Sequence, residues 1–551
     1  MATVSQQSPE IRFFFQPLSA VEYKVNIPML CVVFESQTDV LLANKFPEVE
    51  KAREMLDKVR ERGNETVVLF GGLRDEKTIP LGIVYIRQPW RRRRGQSTLD
   101  IDSINFYREL WERTALAAKR VRDAGYTDLV LVLPSQFQPK NIRNDRLQEQ
   151  RLQKFVRTAT EAIVYANNSL DELVSDAPPL IKNATLTYFG EEDREVNNFF
   201  QRSIGEGQAI GEETGLVRQL ILLPSNLKHP LQFVGRAVGV VPKPRTARSK
   251  AWRSLKGHHF SSRTKISYLY GKEGLERAEF GLIHAVGKGS AYDPILLKVR
   301  YRPLTDRQKP VKKVVLVGKG ITFDTGGTNT KIDEQLDRMH YDMAGAAVAI
   351  RLVKLAEKTN LSVELVALTP IAENINGPFA GRTQDVVKAY DGKTVQVIDT
   401  DCEGRIVLAD AIAYSERHLK PDCTITIGTL GDMADLGPDL VKVGFGSNKL
   451  LRKILRAENS STEKVSLLPS IEHFNEVYNE HLGDISDLVN WPKGGYYHSS
   501  PFVFLYNFFR DEKPEWVFVD LSALFEVDAD NYGAGPGFGL KFIWYLIKQY
   551  A

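Results

Sequence analysis

Seven residues with the means to do chemistry fall in three short segments: VGKGITFDTGGTNTK (317–331), DRMHYDMAGAA (337–347) and DTDCEGRIVLADA (399–411). Lys319, Asp324, Asp342, Asp401 and Glu403 can supply one amine and four carboxylates, and Lys331 and Arg405 add positive charge beside them. Two neighbouring divalent cations need such a set, because each must be neutralised while keeping an open position for water and substrate. A lone Asp-x-Glu is usually solvated surface and a lone Lys-Gly usually a turn. Three segments, each placing charge at the end of an apolar run, are harder to explain that way. Burying several carboxylates without counter-charge costs too much, and a metal pair resolves the cost. An amine coordinates only when deprotonated, so a ligand lysine needs its pKa driven far down by the cation. Chemistry alone does not separate Lys319 from Lys331 by role.

Each segment must be positioned by an element. VKKVVLVGKGITF (311–323) reads as a buried strand running into a loop. Ligands collect at the carboxyl ends of strands in open α/β sheets, where Lys319 and Asp324 would fall. Gly326-Gly327 permits a sharp turn or close backbone approach. Asp342 precedes a run of small residues suited to a helix packed tightly on a sheet. KTVQVIDTDCEGR (393–405) reads as a strand ending in acids, which would turn Asp401 and Glu403 to the same side.

The first part of the chain alternates strand patterns (29–34, 65–73, 81–87, 128–134) with helical ones (46–63, 103–126, 145–168), which argues a smaller N-terminal α/β domain over 1–195. No cluster of His, Cys or paired acids stands out there. A helix over 209–223 leads into a larger catalytic domain, 196–551, and the fold class is α/β.

The three motifs resemble those of the leucyl aminopeptidase (cytosol aminopeptidase) family, and the spacing from Lys319 through Asp324 and Lys331 to Asp342 fits without a gap. The likeness extends to RQLILLPSN (218–226), ALTPIAEN (367–374) and GAGPGFGLKFIWYLI (533–547), about the C-terminal three-fifths of the chain. It implies a catalytic domain with a central mixed sheet flanked by helices, and a metal-dependent aminopeptidase acting on short peptides through a metal-bridged water. Asp324 and Glu403 would bridge two divalent cations, zinc or manganese, with magnesium as the alternative. Lys319 and Asp342 would complete the tightly held site, and Asp401 the more exchangeable one. Lys331 would polarise the scissile carbonyl and Arg405 would hold a bicarbonate base, for which a planar guanidinium is suited. The resemblance also implies a homohexamer whose active sites face an interior cavity.

Met339, Asp399, Cys402, Thr429, Leu430 and Gly431 correspond to positions that line the family's substrate site. Asp399 stands where the family has Asn, and Cys402 where it has Ala. Asp432, and Pro501 within SSPFVFL (499–505), are further departures. An ionised Asp399 or Asp432 in the pocket would favour a basic or polar first residue over leucine. Asp399 capping a turn would leave leucine preferred, and Cys402 reads as a small buried filler.

Composition agrees with an ordinary globular protein: 551 residues, 43% hydrophobic, 26% charged, and a net charge of +4 too small to imply a polyanion partner. Cys31, Cys402 and Cys423 make no disulfide framework and suit a reducing compartment. No apolar run is long enough to span a membrane. No basic stretch followed by an apolar one opens the sequence, so a cytoplasmic protein is expected, with the mitochondrial matrix left open. Trp90–Arg94 and the basic stretch 241–259 read as solvated loops. His258-His259 lacks any H-E-x-x-H helix, His340 reads as helix surface or support for the site, and the glycines of 533–539 lack dinucleotide-binding spacing. The competing reading is a hexameric structural or nucleic-acid-binding protein on the same fold. The intact site argues against it, since a scaffold has no physical reason to keep paired buried acids.

Overall fold

The computed structural model describes residues 11–17, 29–34, 67–74, 77–86, 90–93, 96–99, 104–133, 146–168, 173, 175–188, 194–242, 252–256, 259–304, 311–332, 336–431, 440–469, 471–474, 481–492, 499–510, 515–526 and 537–551. The chain divides into two compact units, Met1–Gly215 and Leu216–Ala551. The division falls inside a long helix, Arg194–Leu222, whose first turn holds the expected domain boundary.

The first unit contains β1 (Arg12–Pro17), β2 (Met29–Phe34), β3 (Val67–Arg74), β4 (Lys77–Ile86), β5 (Trp90–Arg93), β6 (Gln96–Leu99), β7 (Asp128–Val132) and β8 (Asn183–Tyr188). Its six-stranded sheet runs β1-β8-β7-β2-β4-β3, parallel throughout except for the antiparallel β3–β4 pair. Helices α1 (Ile104–Asp123) and α2 (Arg146–Ala166) pack on each other, and α3 is the helix Arg194–Leu222. The expected strands and the helices over 103–126 and 145–168 are therefore present; the segment 46–63 lies outside the described residues. Trp90–Arg93 is a strand and not a loop. In backbone register Arg91, Arg92 and Arg93 pair antiparallel with Thr98, Ser97 and Gln96, while Arg94 lies outside the described residues.

The second unit follows with β9 (Arg253–Leu255), β10 (Thr264–Tyr270), β11 (Ile295–Tyr301), β12 (Lys313–Gly318), β13 (Gly320–Asp324), β14 (Glu364–Asn374), β15 (Val386–Lys388), β16 (Thr394–Gln396), β17 (Cys423–Gly428), β18 (Leu440–Phe445), β19 (Lys464–Leu467), β20 (Leu488–Val489) and β21 (Trp516–Asp520). Its helices are α4 (Pro230–Val238), α5 (Lys272–Arg277), α6 (Gly281–Gly287), α7 (Ala344–Lys358), α8 (Glu403–Tyr414), α9 (Leu451–Ser461), α10 (Ser500–Tyr506) and α11 (Leu540–Ile547). A mixed sheet runs β19-β18-β21-β17-β12-β14-β11-β10-β9, with β13 added beside β14, and β15, β16 and β20 form a small separate sheet.

At the centre of the large sheet β21, β17, β12 and β14 are mutually parallel. Their sequences, such as KVVLVG and CTITIG, are continuous apolar or β-branched runs because both faces are covered. Val315, Val317, Val366, Leu368, Trp516 and Phe518 join α8 in one core, while the alternate residues Val314, Leu316, Leu365 and Ala367 are equally buried. Helix α7 also packs on β12 and β14. Register aligns the strand ends: Gly318 lies opposite Ile427, and Gly428 opposite Asp520. Among the described residues no helix is long and apolar enough to cross a membrane.

Candidate metal centre

The parallel strands present their carboxyl ends on one edge, and the chemistry gathers there. Lys319 follows β12, Asp324 ends β13, Asn374 ends β14, Thr429 follows β17 and Asp520 ends β21. Asp342 arrives on the turn Met339–Tyr341, one residue short of α7. Asp401 and Glu403 are not on an extended strand. β16 stops at Gln396, and Thr400–Cys402 forms a 3-10 turn that feeds directly into α8 at Glu403. The cause is local: the Asp399 carboxylate accepts the Asp401 N–H at 2.9 Å and caps the turn. Glu403 thereby sits in the first turn of a helix, where the macrodipole favours an anion.

The two lysines divide the acids between them. Lys319 Nζ lies 2.8 Å from both Asp342 oxygens, 2.7 Å from Glu403 Oε1 and 2.8 Å from the Thr429 carbonyl. Lys331 Nζ lies 3.0 Å from Asp324 Oδ2 and pairs with Asp401 Oδ1. Burial works to lower the Lys319 amine, but Asp342, Glu403 and Asp324 outweigh it and hold its pKa above the ordinary lysine range. Lys331 is held up in the same way against its burial, by Asp324, Glu403 and Asp401. Burial, reinforced by Asp324 and Glu403, pushes the Asp401 carboxyl up to about 8. Asp342 and Glu403 are also raised, chiefly by burial.

These residues fit a pair of cations on two observations. Ligand oxygens of Asp324, Asp401 and Glu403 lie within 4.8 Å of one another. Among the described residues, Asp342 Oδ2 and both Glu403 oxygens are buried without a well-aligned hydrogen bond; Lys319 ion-pairs with both residues and Lys331 adds positive charge toward Glu403. Close packing of small residues makes the approach possible. A side chain at Gly404 would meet Lys319 Cε at 2.6 Å, and one at Gly327, where φ is +65°, would meet Asn374 Oδ1 at 2.9 Å.

The remaining candidates surround this cluster. Arg405 is buried; its Nη1 donates to the Asn490 carbonyl at 3.1 Å and to Ser500 Oγ, and its guanidinium lies 5.5 Å from the centre of the Trp491 ring. Thr429 Oγ1 donates to Asp342 Oδ1 at 2.6 Å. The N–H groups of Leu430 and Gly431 donate to Ser522 Oγ at 2.9 and 3.2 Å. Cys402 is buried, and burial raises its thiol to about 12, so it is a filler and not a thiolate. Met339 is half-buried in the turn before Asp342, and the His340 ring packs edge-on to Tyr341. Asp432 and His258 lie outside the described residues.

Several supporting residues escape motif reading. Asn374 Nδ2 donates to Asp324 Oδ1 at 2.8 Å and to the Thr400 carbonyl at 3.0 Å, tying one ligand-bearing segment to another. Thr400 Oγ1 donates to the Gly326 carbonyl at 2.6 Å. Asn490 brackets the Asp399 backbone, donating to its carbonyl at 2.6 Å and accepting its N–H at 3.2 Å. Asp520 Oδ1 accepts from the Leu430 N–H at 3.1 Å and from Ser522 Oγ at 2.5 Å. The only advance signal was the position of Asn374 at the end of the run ALTPIAEN.

Fold and site define the class first: a mixed α/β enzyme whose buried acidic cluster fits divalent cations. Residues 216–544 match the model of the cytosol aminopeptidase family, catalytic domain. The chain is 30% identical over 407 residues to a probable cytosol aminopeptidase of Syntrophotalea carbinolica, covering 72% of this chain and 76% of that one. It is 30% identical over 327 residues to one of Nitrosospira multiformis, covering 59% of each, and 29% identical over 341 residues to a cytosol aminopeptidase of Vibrio cholerae, covering 62% and 64%. It therefore spans less than two thirds of the length of these last two. The fold is similar to that of the bottromycin maturation enzyme BotP in complex with Mn, with a TM-score of 0.70 at 22% identity over 95% of this chain and 99% of that one. The chain belongs to the cytosol aminopeptidase family, and its enzymatic class is aminopeptidase.

Proposed function

We propose that the chain is a two-metal exopeptidase that removes N-terminal residues from short peptides. The observation that carries this reading is the convergence of four carboxylates and two lysines at the carboxyl edge of the parallel strands. Lys319, Asp324, Asp342, Asp401 and Glu403 would hold two divalent cations, zinc or manganese. A bound pair supplies Lewis acidity, an anchor for the free α-amine and an activated water.

The chain's own cations do the rest. Lys331, which pairs with Asp324 and Asp401 at one side of the cluster, would polarise the scissile carbonyl and stabilise the oxyanion, worth roughly 3–4 kcal/mol for one such donor. Arg405, fixed by Asn490 and Ser500 and facing the Trp491 ring, would hold a planar bicarbonate as the base. Met339, Thr429, Leu430 and Gly431, with the turn Asp399–Cys402, would line the pocket for the first residues of the peptide. Domains over 1–195 and 196–551 divide scaffold from chemistry in this reading. The names of the relatives support a cytoplasmic enzyme, and the family resemblance supports a homohexamer with enclosed sites. Hydrolysis of leucyl-amide and other aminoacyl-amides after chelation and readdition of Mn²⁺ or Zn²⁺ tests the reading. Chelator-sensitive release of the first residue is expected. Absence of release with either metal across a substrate panel overturns it.

A further inference from the structure

Lys228 is a lysine with 0% exposure whose amine meets three backbone carbonyls. They belong to Leu220 at 3.1 Å, Ile221 at 2.7 Å and His340 at 2.6 Å. The sequence LILLPSNLK explains the first two. Leu220 and Ile221 lie in the last turn of α3, where carbonyls run out of helical donors. The residue four past Leu220 is Pro224, which has no N–H to give. The Lys228 side chain returns from beyond the turn Ser225–Leu227 to supply what the proline withholds, and places positive charge at the negative end of the helix. Burial pulls the amine below the ordinary lysine range, while three carbonyl acceptors, matched to the three donors of an ammonium, work against that pull.

The third acceptor is not part of α3. The His340 carbonyl belongs to the turn Met339–Tyr341, immediately before Asp342. That turn is held elsewhere by Arg338, which donates to the Phe525 carbonyl at 2.9 Å, and by Tyr341, whose ring lies parallel to Phe525. Beyond it the Asp342 carbonyl accepts the Ile321 N–H at 3.3 Å, and its carboxylate is taken by Lys319 and Thr429. Lys228 thus joins the end of α3 to the backbone that delivers Asp342.

We propose that Lys228 is a positioning residue of the metal centre, fixing the turn that aims the Asp342 carboxylate. The inference rests on the two-metal reading above. It is distinct from a capping role, and the two can be separated. In Lys228→Met all three carbonyls lose their donor. In Pro224→Ala/Lys228→Met a backbone N–H at 224 is offered back to Leu220, while Ile221 and His340 stay without the lysine as donor.

Equilibrium dialysis with Mn²⁺, together with circular dichroism and thermal melting of chelator-treated protein, decides the matter. Wild type should bind two Mn²⁺ per chain; if it binds none, the two-metal reading falls before Lys228 is tested. Lys228→Met should bind one Mn²⁺ about ten- to a hundredfold more weakly and the other unchanged, the range usual for loss of a group that orients a ligand. The double variant should regain part of the melting temperature without regaining affinity. Wild-type Mn²⁺ affinity in folded Lys228→Met overturns the proposal, and so does affinity that returns with stability in the double variant. If Lys228→Met does not fold, the double variant alone carries the test through the same affinity comparison.

Discussion

Lys319 and Glu403 meet as an ion pair at 2.7 Å with side chains only 4% and 1% exposed. Among the described residues neither Glu403 oxygen has a well-aligned hydrogen bond, so its charge rests on Lys319 first, on Lys331 second, or on a cation. In chelator-treated protein, Lys319→Met should cost about 3–5 kcal/mol, the range for stripping one partner from a buried pair. Urea unfolding with and without Mn²⁺ measures it. A loss below about 1 kcal/mol would mean that water already reaches the pair.

Cation binding should release protons. The Lys319 pKa lies above the ordinary range because Asp342, Glu403 and Asp324 outweigh its burial, so a cation that takes the amine as ligand must displace a proton. Asp401, raised to about 8 by burial and its acidic neighbours, should give up another below that pH. Affinity therefore falls as pH falls. Calorimetry of Mn²⁺ binding in buffers of different ionisation heat reads the number released, and a heat independent of buffer would contradict this account.

Lys331→Ala should leave Mn²⁺ content near wild type and lower kcat by about a hundred- to a thousandfold, the usual effect of removing an oxyanion donor. Asp342→Ala should lose cation and activity together. Equal metal loss in the two variants would show their roles confused.

Asp399→Asn should leave the order of preference among Leu-, Arg-, Lys- and Asp-amides unchanged. The Asp399 carboxylate caps the Asp401 N–H, a task an Asn oxygen performs as well. Asp399→Ala removes the cap and should cost about 0.5–2 kcal/mol. A reordered preference in Asp399→Asn would show that the carboxylate also reads the substrate.

His481 is fully buried, its Nδ1 against the Val489 carbonyl at 3.0 Å, and burial depresses its pKa to about 4. Between the ordinary value of 6.5 and about 4 the unfolded chain takes a proton that the folded chain refuses. Its contribution is intact above 6.5 and is lost as pH falls through that window, by about 3 kcal/mol in total. His481→Gln should flatten this part of the stability–pH curve; equal slopes for both proteins between pH 7 and pH 4 would refute it.

Legibility in the sequence followed the range of the forces involved. β12 is apolar from Val314 to Val317, so it announces itself, as do Lys319 and Asp324 beyond it. The turn Thr400–Cys402 did not, because one capping carboxylate outweighed the extended pattern of the residues before it. Asn374, Asn490, Ser522 and Lys228 act through hydrogen bonds to backbone distant in sequence, and no local periodicity marks such contacts. Trp90–Arg93 differs for the reverse reason: a run of like charge suggests a solvated loop, while its strand pairing with Gln96–Leu99 is a backbone ladder that charge pattern does not mark.

The place of β21 in the large sheet bears on how the protein is made. It is synthesised after every other strand of that sheet, yet it lies between β18 and β17 and carries Asp520 to the Leu430 backbone. Domains begin folding during translation from the N-terminal side, so a nascent chain must wait with an open seam beside β17. Until β21 fills it, the loop that receives Lys319 at the Thr429 carbonyl lacks its brace. Chains cut before Trp516 should accordingly fail to retain Mn²⁺ on a desalting column. The site would then assemble only once Trp516–Asp520 has been made, so metal uptake would trail the folding of the strands before it.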